Sequence, residues 1–298
     1  MVNLRAKIIN ILNSLKENKS SEFETDLILF HAFRRDYPKL RTLADLKLVS
    51  PTCNSEIEAT TVQIAENRIQ GIPLQHLLGN QFFYEHEYLV NDSTLIPRPE
   101  TEVLVLEALT WLEKKYADRP FRFIELGLGS GVISGEILAR FKHARGFASE
   151  INPLAIALAR QNLEHILGRN FDERFVIQEP DDESMGFELF LEKAPYDLVI
   201  SNPPYLSVND EIDFEVLTHE PHLALFPKTT GDRENPNYFY ENFLLHAKEL
   251  LKSNGVAFFE VPHERAEVLL HSFQNAGFSK ARLISDLTGR HRVLQAAF

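Results

Sequence analysis

Helical and strand patterns alternate along the C-terminal two thirds of this 298-residue chain, and that alternation restricts the possible folds more than any other feature. Short apolar and β-branched runs are separated by longer segments with apolar residues at helical spacing. The predicted strands are 121–126, 146–150, 174–178, 196–201, 256–261, 280–285 and 292–298. Such alternation predicts an α/β fold with a mostly parallel, seven-stranded sheet covered on both faces. The last two strands are joined by the short link 286–291, so they are expected to pair antiparallel.

A glycine-rich turn joins the first of these strands to a helix, as at the opening of many nucleotide sites. Glycine allows the backbone to approach a ligand closely. The spacing differs from Gly-x-Gly-x-x-Gly, and the acidic Glu125 beside the turn would repel a pyrophosphate. Glu125 instead suits a cation or an amino group, and S-adenosylmethionine carries both a sulfonium and an α-ammonium. The predicted cofactor contacts here are Glu125, Gly127, Leu128, Gly129, Ser130 and Gly131. An ordinary tight turn is the alternative.

A second carboxylate follows the next predicted strand. Glu150 stands where α/β nucleotide sites hold an acid for ribose hydroxyls, and Asn152-Pro153 then begins a helix with an N-cap and a proline in the first turn. We therefore expect Glu150 to bind the ribose. The alternative is a solvated charge at the start of the helix.

The segment Asn202-Pro203-Pro204-Tyr205 ends the buried strand at 196–201. Two prolines hold the backbone extended and remove N–H donors, so the loop offers mainly oxygen acceptors. The Asn202 side-chain oxygen and the Pro203 carbonyl are suited to accept both hydrogens of a planar NH₂ group, with Tyr205 as an aromatic wall. We predict Asn202, Pro203, Pro204 and Tyr205 as the catalytic residues, and Asn202 also as a cofactor contact. A rigid turn without function is the alternative.

The N-terminal quarter has a different pattern. Three amphipathic helices are predicted over about 2–17, 22–35 and 54–70, the second with Phe23, Leu27, Phe30 and Phe33 on one side. Aromatic and β-branched residues at 81–90 then predict a hairpin. The predicted domains are a helical one over 1–75, a hairpin linker over 76–98 and an α/β domain over 99–298.

Charge and cysteine content limit the classes of partner. The formal net charge is −12, which argues against a partner held by phosphate neutralisation, so no stable nucleic-acid binding is expected. The single cysteine, Cys53, has no disulfide partner in this chain, and no signal peptide or membrane span is recognised. A cytoplasmic protein without membrane contact is expected. His219 and His222 have no third ligand nearby, and no metal is predicted.

Several motifs together resemble the release-factor glutamine methyltransferase family over essentially the full length of the chain. That family belongs to the class I S-adenosylmethionine-dependent methyltransferases, whose Rossmann-like sheet has seven strands. The matching segments are Gly79 before an aromatic run, Leu95-Ile96-Pro97-Arg98-Pro99-Glu100-Thr101-Glu102, the glycine turn, Ser201 to Tyr205, Glu220-Pro221-His222-Leu223-Ala224-Leu225 and Arg292-Val293-Leu294. The block from Pro97 to Glu102 is the most specific of these, because Asn-Pro-Pro-Tyr is shared by many amino methyltransferases.

This resemblance implies transfer of a methyl group from S-adenosylmethionine to the side-chain amide of the glutamine in the Gly-Gly-Gln motif of peptide chain release factors. The glycines and Glu150 would hold the cofactor, Asn202 to Tyr205 the glutamine, and the helical part the release factor. The chain departs from the family at two places. Glu150 replaces the usual aspartate, and the segment after the third strand does not align cleanly, which leaves Glu179 and Asp181 both as candidates for the adenine contact.

Other acceptors fit the same motifs. One alternative is an amino methyltransferase acting on a glutamine of a ribosomal protein or on an adenine or guanine amino group of nucleic acid. Another is a non-catalytic binding module that has kept the fold. A test for S-adenosylmethionine binding distinguishes that module from the release-factor methyltransferase and from the alternative amino methyltransferase.

Overall fold

The computed structural model describes residues 2–14, 20–48, 52–180, 186–207, 209–227 and 235–298. Its contacts divide the chain into two compact units. The first is Met1–Asn80 together with Phe214–His219, and the second is Gln81–Asp213 together with Glu220–Phe298.

The first unit is helical. Its core is built from apolar residues three or four positions apart on the three longest helices, for example Leu4, Ile8 and Leu12 on the first of them. Buried Ile28, Leu29 and Phe33 face this core, whereas Phe23 is 58% exposed. Of the apolar side predicted for the second helix, Phe33 is buried and Leu27 and Phe30 pack against this core, so only Phe23 departs from the prediction. The buried face also includes Ile28 and Leu29, which the prediction did not name. The helices are α1 (Val2–Leu12), α2 (Ser21–Arg34), α3 (Asp45–Leu48), α4 (Ser55–Arg68) and α5 (Leu74–Leu78), with the separate helix α9 (Phe214–His219).

A two-stranded sheet follows, formed by β1 (Asn80–Phe83) and β2 (His86–Leu89). Tyr84 between them has a positive φ of 52°, which is uncommon for a residue with a side chain and is typical of a tight turn.

The second unit contains a seven-stranded sheet. Its strands are β3 (Phe121–Leu126), β4 (Ala144–Ser149), β5 (Phe175–Gln178), β6 (Tyr196–Ser201), β7 (Leu251–Glu260), β8 (Arg282–Ser285) and β9 (His291–Ala296). They lie in the order β5-β4-β3-β6-β7-β9-β8. The first five strands in this order pair parallel, and β9 pairs antiparallel with both β7 and β8. The predicted seven-stranded sheet and its antiparallel end are confirmed.

Helices cover both faces of this sheet. Leu198 and Ile200 of β6 join the core beneath one group of helices, and Val199 between them joins the core beneath the other. This alternation follows from the two-residue period of a strand. One face carries α6 (Pro99–Lys115), α7 (Val132–Arg140) and α8 (Pro153–Leu167), and the other carries α11 (Tyr238–Leu250) and α12 (Ala266–Asn275). The short helix α10 (His222–Leu225) precedes α11.

Strand β7 begins five residues before the predicted start at residue 256, at Leu251, where it pairs with Tyr196. Ser253 and Asn254 are exposed, so the apolar signal begins only at Val256 although the backbone is already extended.

The chain reverses direction across the sheet between β3 and β6, because β4 and β5 lie on one side of β3 while β6 and β7 lie on the other. Ligands of open α/β sheets bind at such a switch point, outside the carboxyl ends of the strands. Glu125, Glu150, Asn202 and Glu260 all lie at or just after these ends. None of the helices within the described ranges combines the length and apolar character needed to cross a membrane.

Candidate active site

The glycine turn after β3 forms one wall of a cavity in the second unit. Gly127 and Gly129 have φ of +74° and +54°, a region that side chains rarely adopt, and an added Cβ at either position would meet no atom within 4 Å. The backbone N–H groups of Gly127 and Leu128 both donate to the Ser149 carbonyl at 3.0 Å, which ties the turn to β4. The turn therefore presents bare backbone to open space. Gly127, Leu128, Gly129 and Ser130 line the cavity.

Gly131, the last glycine of the predicted set, has a different position. It precedes the first residue of α7 with φ of +83°, and a Cβ there would lie 3.4 Å from the Ala159 Cβ of α8. Its absence of a side chain serves the close approach of these two helices.

Glu125 lies at the end of β3, lines the cavity and is 1% exposed. Its Oε2 accepts hydrogen bonds from the Ser134 backbone N–H at 2.9 Å and from the Ser134 hydroxyl. Ser134 is the third residue of α7, so this carboxylate satisfies one of the free N–H groups at the helix N-terminus. Burial raises the pKa of Glu125 to about 8, and the Ser134 hydrogen bonds act in the opposite direction. A cationic ligand would favour the ionised form. The sequence analysis did not identify Ser134, although its place in the first helical turn was the available signal.

Glu150 follows β4, and its carboxylate holds the glycine turn through hydrogen bonds. Its Oε2 accepts from the Gly129 N–H at 2.8 Å, and its Oε1 accepts from the N–H groups of Ile151 and Asn152, both at 2.9 Å. A carboxylate has about four lone-pair sites, so one remains for a further donor such as a hydroxyl. The side chain of Asn152 caps α8 through Leu154 N–H, as its position before Pro153 indicates.

The asparagine loop forms another part of the lining. Asn202 and Pro204 line the cavity, whereas Pro203 is buried. The Asn202 Nδ2 donates to Thr101 Oγ1 at 3.1 Å. Tyr205 does not form the predicted aromatic wall, because its hydroxyl donates to Glu260 Oε1 at 3.3 Å and its side chain packs into the core beside α11. The guanidinium of Arg265 donates to the Tyr205 carbonyl and so holds the end of the loop.

Neither of the two candidates for an adenine contact is found in the cavity lining within the described residues. Glu179 is exposed, while its neighbour Pro180 is buried and lines the cavity. Asp181 lies outside the described residues.

A third wall joins two segments that are far apart in the sequence. Glu220 is buried, and its two oxygens accept from the Ile96 backbone N–H at 3.1 Å and from the Arg98 guanidinium. This link places Pro97 and Arg98 beside Pro221, Leu223 and Ala224 along the cavity. The sequence analysis identified both segments as motifs but did not identify the contact between them.

The geometry thus brings an open glycine turn and two carboxylates to one side of a cavity and a carboxamide to another. Such a site can hold a ligand that carries an amino group and hydroxyls, and it can present an oxygen acceptor to a second, polar group. The predicted residues Glu125, Gly127, Leu128, Gly129, Ser130, Glu150, Asn202 and Pro204 share this lining, together with Thr101, to which no role was assigned.

Comparison with known proteins agrees with this fold. The family described as "Methyltransferase small domain" matches residues 104–219. The solved catalytic domain of hMettl16, in complex with the MAT2A 3'UTR hairpin 6, has a TM-score of 0.54 and 15% identity, covering 90% of this chain and 92% of that chain. At this identity the likeness shows the fold alone.

Relatives by sequence are more specific. The chain is 29% identical to the release factor glutamine methyltransferase of Flavobacterium psychrophilum, with 99% of this chain and 98% of the relative covered. It is 29% identical to the bifunctional methyltransferase of Rickettsia typhi, but it spans only 53% of that protein, or about half the length of the Rickettsia relatives. It is 31% identical over 241 residues to the release factor glutamine methyltransferase of Chlorobaculum tepidum, covering 79% of this chain and 78% of that one. On this extent of similarity, and as its motifs predict, the chain belongs to the release factor glutamine methyltransferase family.

Proposed function

We propose that this chain transfers a methyl group from S-adenosylmethionine to the side-chain amide nitrogen of the glutamine in the Gly-Gly-Gln motif of peptide chain release factors. The observation that carries the proposal is that Asn202 and the glycine turn line one cavity. The names of the relatives from Flavobacterium and Chlorobaculum support the same acceptor.

The residues of the turn fit the proposed donor. When bound, S-adenosylmethionine supplies an electrophilic methyl group on a sulfonium. Gly127 and Gly129 leave space where a Cβ would otherwise stand. Glu125, with its raised pKa of about 8, gains most from an α-ammonium beside it. Glu150 has lone-pair capacity left for a ribose hydroxyl.

Asn202 and the backbone after it fit the acceptor. An amide nitrogen is a poor nucleophile because its lone pair is delocalised into the carbonyl. The loop contains no titratable group suited to removing its proton, so the chain acts by alignment and by oxygen acceptors directed at the nitrogen. Orientation alone can account for roughly 7–11 kcal/mol of a barrier in well-oriented intramolecular reactions. Asn202 Oδ1 and the Pro203 carbonyl are the acceptors that we assign to the two amide hydrogens.

The helical unit is assigned to recognition of the release factor. This role agrees with a net charge of −12, which suits a protein substrate better than a bare phosphate backbone. A release factor is a substrate of the cytoplasm, so the proposal places the enzyme there.

The test is transfer of label from S-adenosylmethionine to four separate substrates: a release factor, its variant with alanine for the Gly-Gly-Gln glutamine, ribosomal proteins and total RNA. Label on the intact release factor alone is expected. Equal label on the alanine variant would contradict the assigned acceptor. Label on RNA or on a ribosomal protein, with none on the release factor, would favour the alternative acceptors.

A further inference from the structure

A buried line of polar groups stands directly behind Asn202. Asn202 Nδ2 donates to Thr101 Oγ1 at 3.1 Å, and the Thr101 hydroxyl donates to Glu260 Oε2 at 2.7 Å. The other oxygen of Glu260 accepts from the Tyr205 hydroxyl at 3.3 Å. Thr101 and Glu260 are each 3% exposed, so bulk water does not take part in this arrangement.

The folding of three separate elements creates this line. Thr101 is in the first turn of α6, and Glu260 is the last residue of β7. Ser201 pairs with Phe259 across β6 and β7, so the residues that follow, Asn202 and Glu260, emerge side by side at the carboxyl edge. The sheet register therefore places Asn202 beside Glu260, and the packing of α6 against β7 adds Thr101.

The line determines which end of the Asn202 carboxamide faces the cavity. The two ends of a carboxamide are nearly equal in size, so its orientation depends on hydrogen bonding. A threonine hydroxyl has one hydrogen. Because Glu260 as a carboxylate can only accept, it takes that hydrogen, and the Thr101 oxygen is then left to accept from the Asn202 NH₂. The carboxamide oxygen is consequently left for the acceptor substrate.

We propose that Thr101 and Glu260 are positioning residues that hold the Asn202 oxygen toward the amide to be methylated. The inference rests on the proposed function and adds the residues that orient its central side chain. It assigns them no contact with either substrate.

Hydrogen bonds in this line are donated from Asn202 to Thr101 and from Thr101 to Glu260. Protonation of Glu260 would reverse this direction. Burial raises the pKa of Glu260 to about 7, and the Thr101 hydrogen bond acts in the opposite direction. A protonated Glu260 can donate to Thr101, whose own hydrogen then becomes available to the Asn202 oxygen. The titratable and charged groups around Glu260 are Glu100, Tyr205 and Arg292, together with Tyr240, whose hydroxyl donates to the Glu260 carbonyl, and Arg265 beside Tyr240. Turnover at saturating donor should therefore rise with pH through about 7.

The test compares Thr101→Val, which removes the hydroxyl at nearly constant volume, with Thr101→Ser, which keeps it. We expect kcat for release-factor methylation to fall roughly 10- to 100-fold in Thr101→Val, the size of one lost hydrogen bond in a buried network. Thr101→Ser should stay within about threefold of the parent chain, and the Kd for S-adenosylmethionine should change less than about twofold in both. Glu260→Gln should abolish the rise of kcat with pH, since its amide does not titrate.

Tyr116→Phe is the control. Tyr116 belongs to the second unit, is absent from the cavity lining, and its buried hydroxyl donates to the Asp197 carboxylate at 2.6 Å. It should leave kcat and its pH profile unchanged, so a general effect of removing a buried hydroxyl that donates to a carboxylate is separated from the effect at Thr101.

A second readout needs no release factor. The Asn202 side-chain NH₂ signals in ¹⁵N NMR, assigned with Asn202→Asp, should exchange slowly with solvent in the parent chain and in Thr101→Ser, and quickly in Thr101→Val. Equal exchange in all three, or a parental kcat and pH profile in Thr101→Val, would overturn the inference. Failure of the parent chain to methylate a release factor would instead reject the proposed function, and the exchange rates would still decide the inference.

Discussion

Two buried glutamates lie at the carboxyl edge of the sheet, Glu125 in the cavity lining and Glu260 behind Asn202, and they are held in different ways. Glu125 is the next-to-last residue of β3 and Glu260 is the last residue of β7, and burial raises the pKa of both, to about 8 and about 7. Glu125 accepts from the backbone and hydroxyl of one residue, Ser134, at the start of a helix. Glu260 accepts from two side-chain hydroxyls, Thr101 and Tyr205, that belong to separate elements.

These two kinds of hydrogen-bond donor give the two sides of the site different roles. On the turn side most donors are backbone N–H groups, whose positions the turn and the helix starts fix, and the Ser134 hydroxyl is the one side-chain donor described above. The asparagine side depends on hydroxyl groups. Because these groups can rotate, the direction of its hydrogen bonds can change. We therefore expect substitutions on the turn side to change donor binding, and substitutions on the asparagine side to change turnover.

The largest effect is expected at Asn202. Asn202→Ala removes the proposed acceptor for the substrate amide, so kcat should fall by about 10²- to 10³-fold, as when one directed hydrogen-bonding group of an active site is deleted. The Kd for S-adenosylmethionine, measured by calorimetry, should remain within about twofold. Equal losses of S-adenosylmethionine affinity and kcat would show that the loop is a structural part of the turn side. The two sides would then not differ in their effects on binding and turnover.

A smaller effect, of the opposite kind, is expected at Glu125. Glu125→Gln should weaken donor binding by roughly 10-fold, because a charge-assisted contact to the α-ammonium is lost, while kcat at saturating donor changes little. Donor binding to the parent chain near pH 7 should also release protons from Glu125. Calorimetry in buffers of different ionisation enthalpy measures this release. Its persistence in Glu125→Gln would assign the proton to another group.

Both glutamates should also make stability depend on pH. Their pKa values lie above the ordinary 4.5, so the folded chain binds more protons than the unfolded chain between about pH 4.5 and 8. The free energy of unfolding is expected to fall as pH rises through this window. The Tm of the double variant Glu125→Gln/Glu260→Gln should rise relative to that of the parent chain by about 10 °C between pH 5 and pH 8. A difference in Tm that does not vary with pH would mean that neither carboxylate is held protonated.

The smallest effect is expected at another buried glutamate, Glu136, which provides the control for both sides. Glu136 lies in α7 and accepts from Tyr88 at 3.0 Å and from His86 at 3.1 Å. Glu136→Gln should cost about 1 kcal/mol of stability in thermal unfolding. Donor affinity and kcat should stay within about twofold of the parent values. A larger loss of either would show that burial of a carboxylate anywhere in this unit influences the site.

The turn side was largely predictable from the sequence, because its parts lie within about thirty residues in a strand, turn and helix order. Glycine, a flanking acid and an N-cap asparagine each carry a local signal. The seven strands were predictable for the same reason, through their apolar runs. The start of β7 was not, because Ser253 and Asn254 are polar and exposed.

On the asparagine side, the sequence predicted the residue that lines the cavity but not the buried groups behind it. Asn202 was identified from two adjacent prolines, but Thr101 and Glu260 lie 159 residues apart, and their contact depends on how α6 packs against β7. Tyr205 was assigned to the cavity wall, since its residue type suits stacking. A buried carboxylate within reach of its hydroxyl determines its orientation instead.

A crystal structure of the chain with S-adenosylhomocysteine and a Gly-Gly-Gln peptide tests the central claim most directly. The glutamine nitrogen is expected within hydrogen-bond distance of Asn202 Oδ1, with Asn202 Nδ2 on Thr101 and the donor's sulfur above the glycine turn. A glutamine that binds elsewhere, or an Asn202 side chain turned from the cavity with the donor in place, would contradict it.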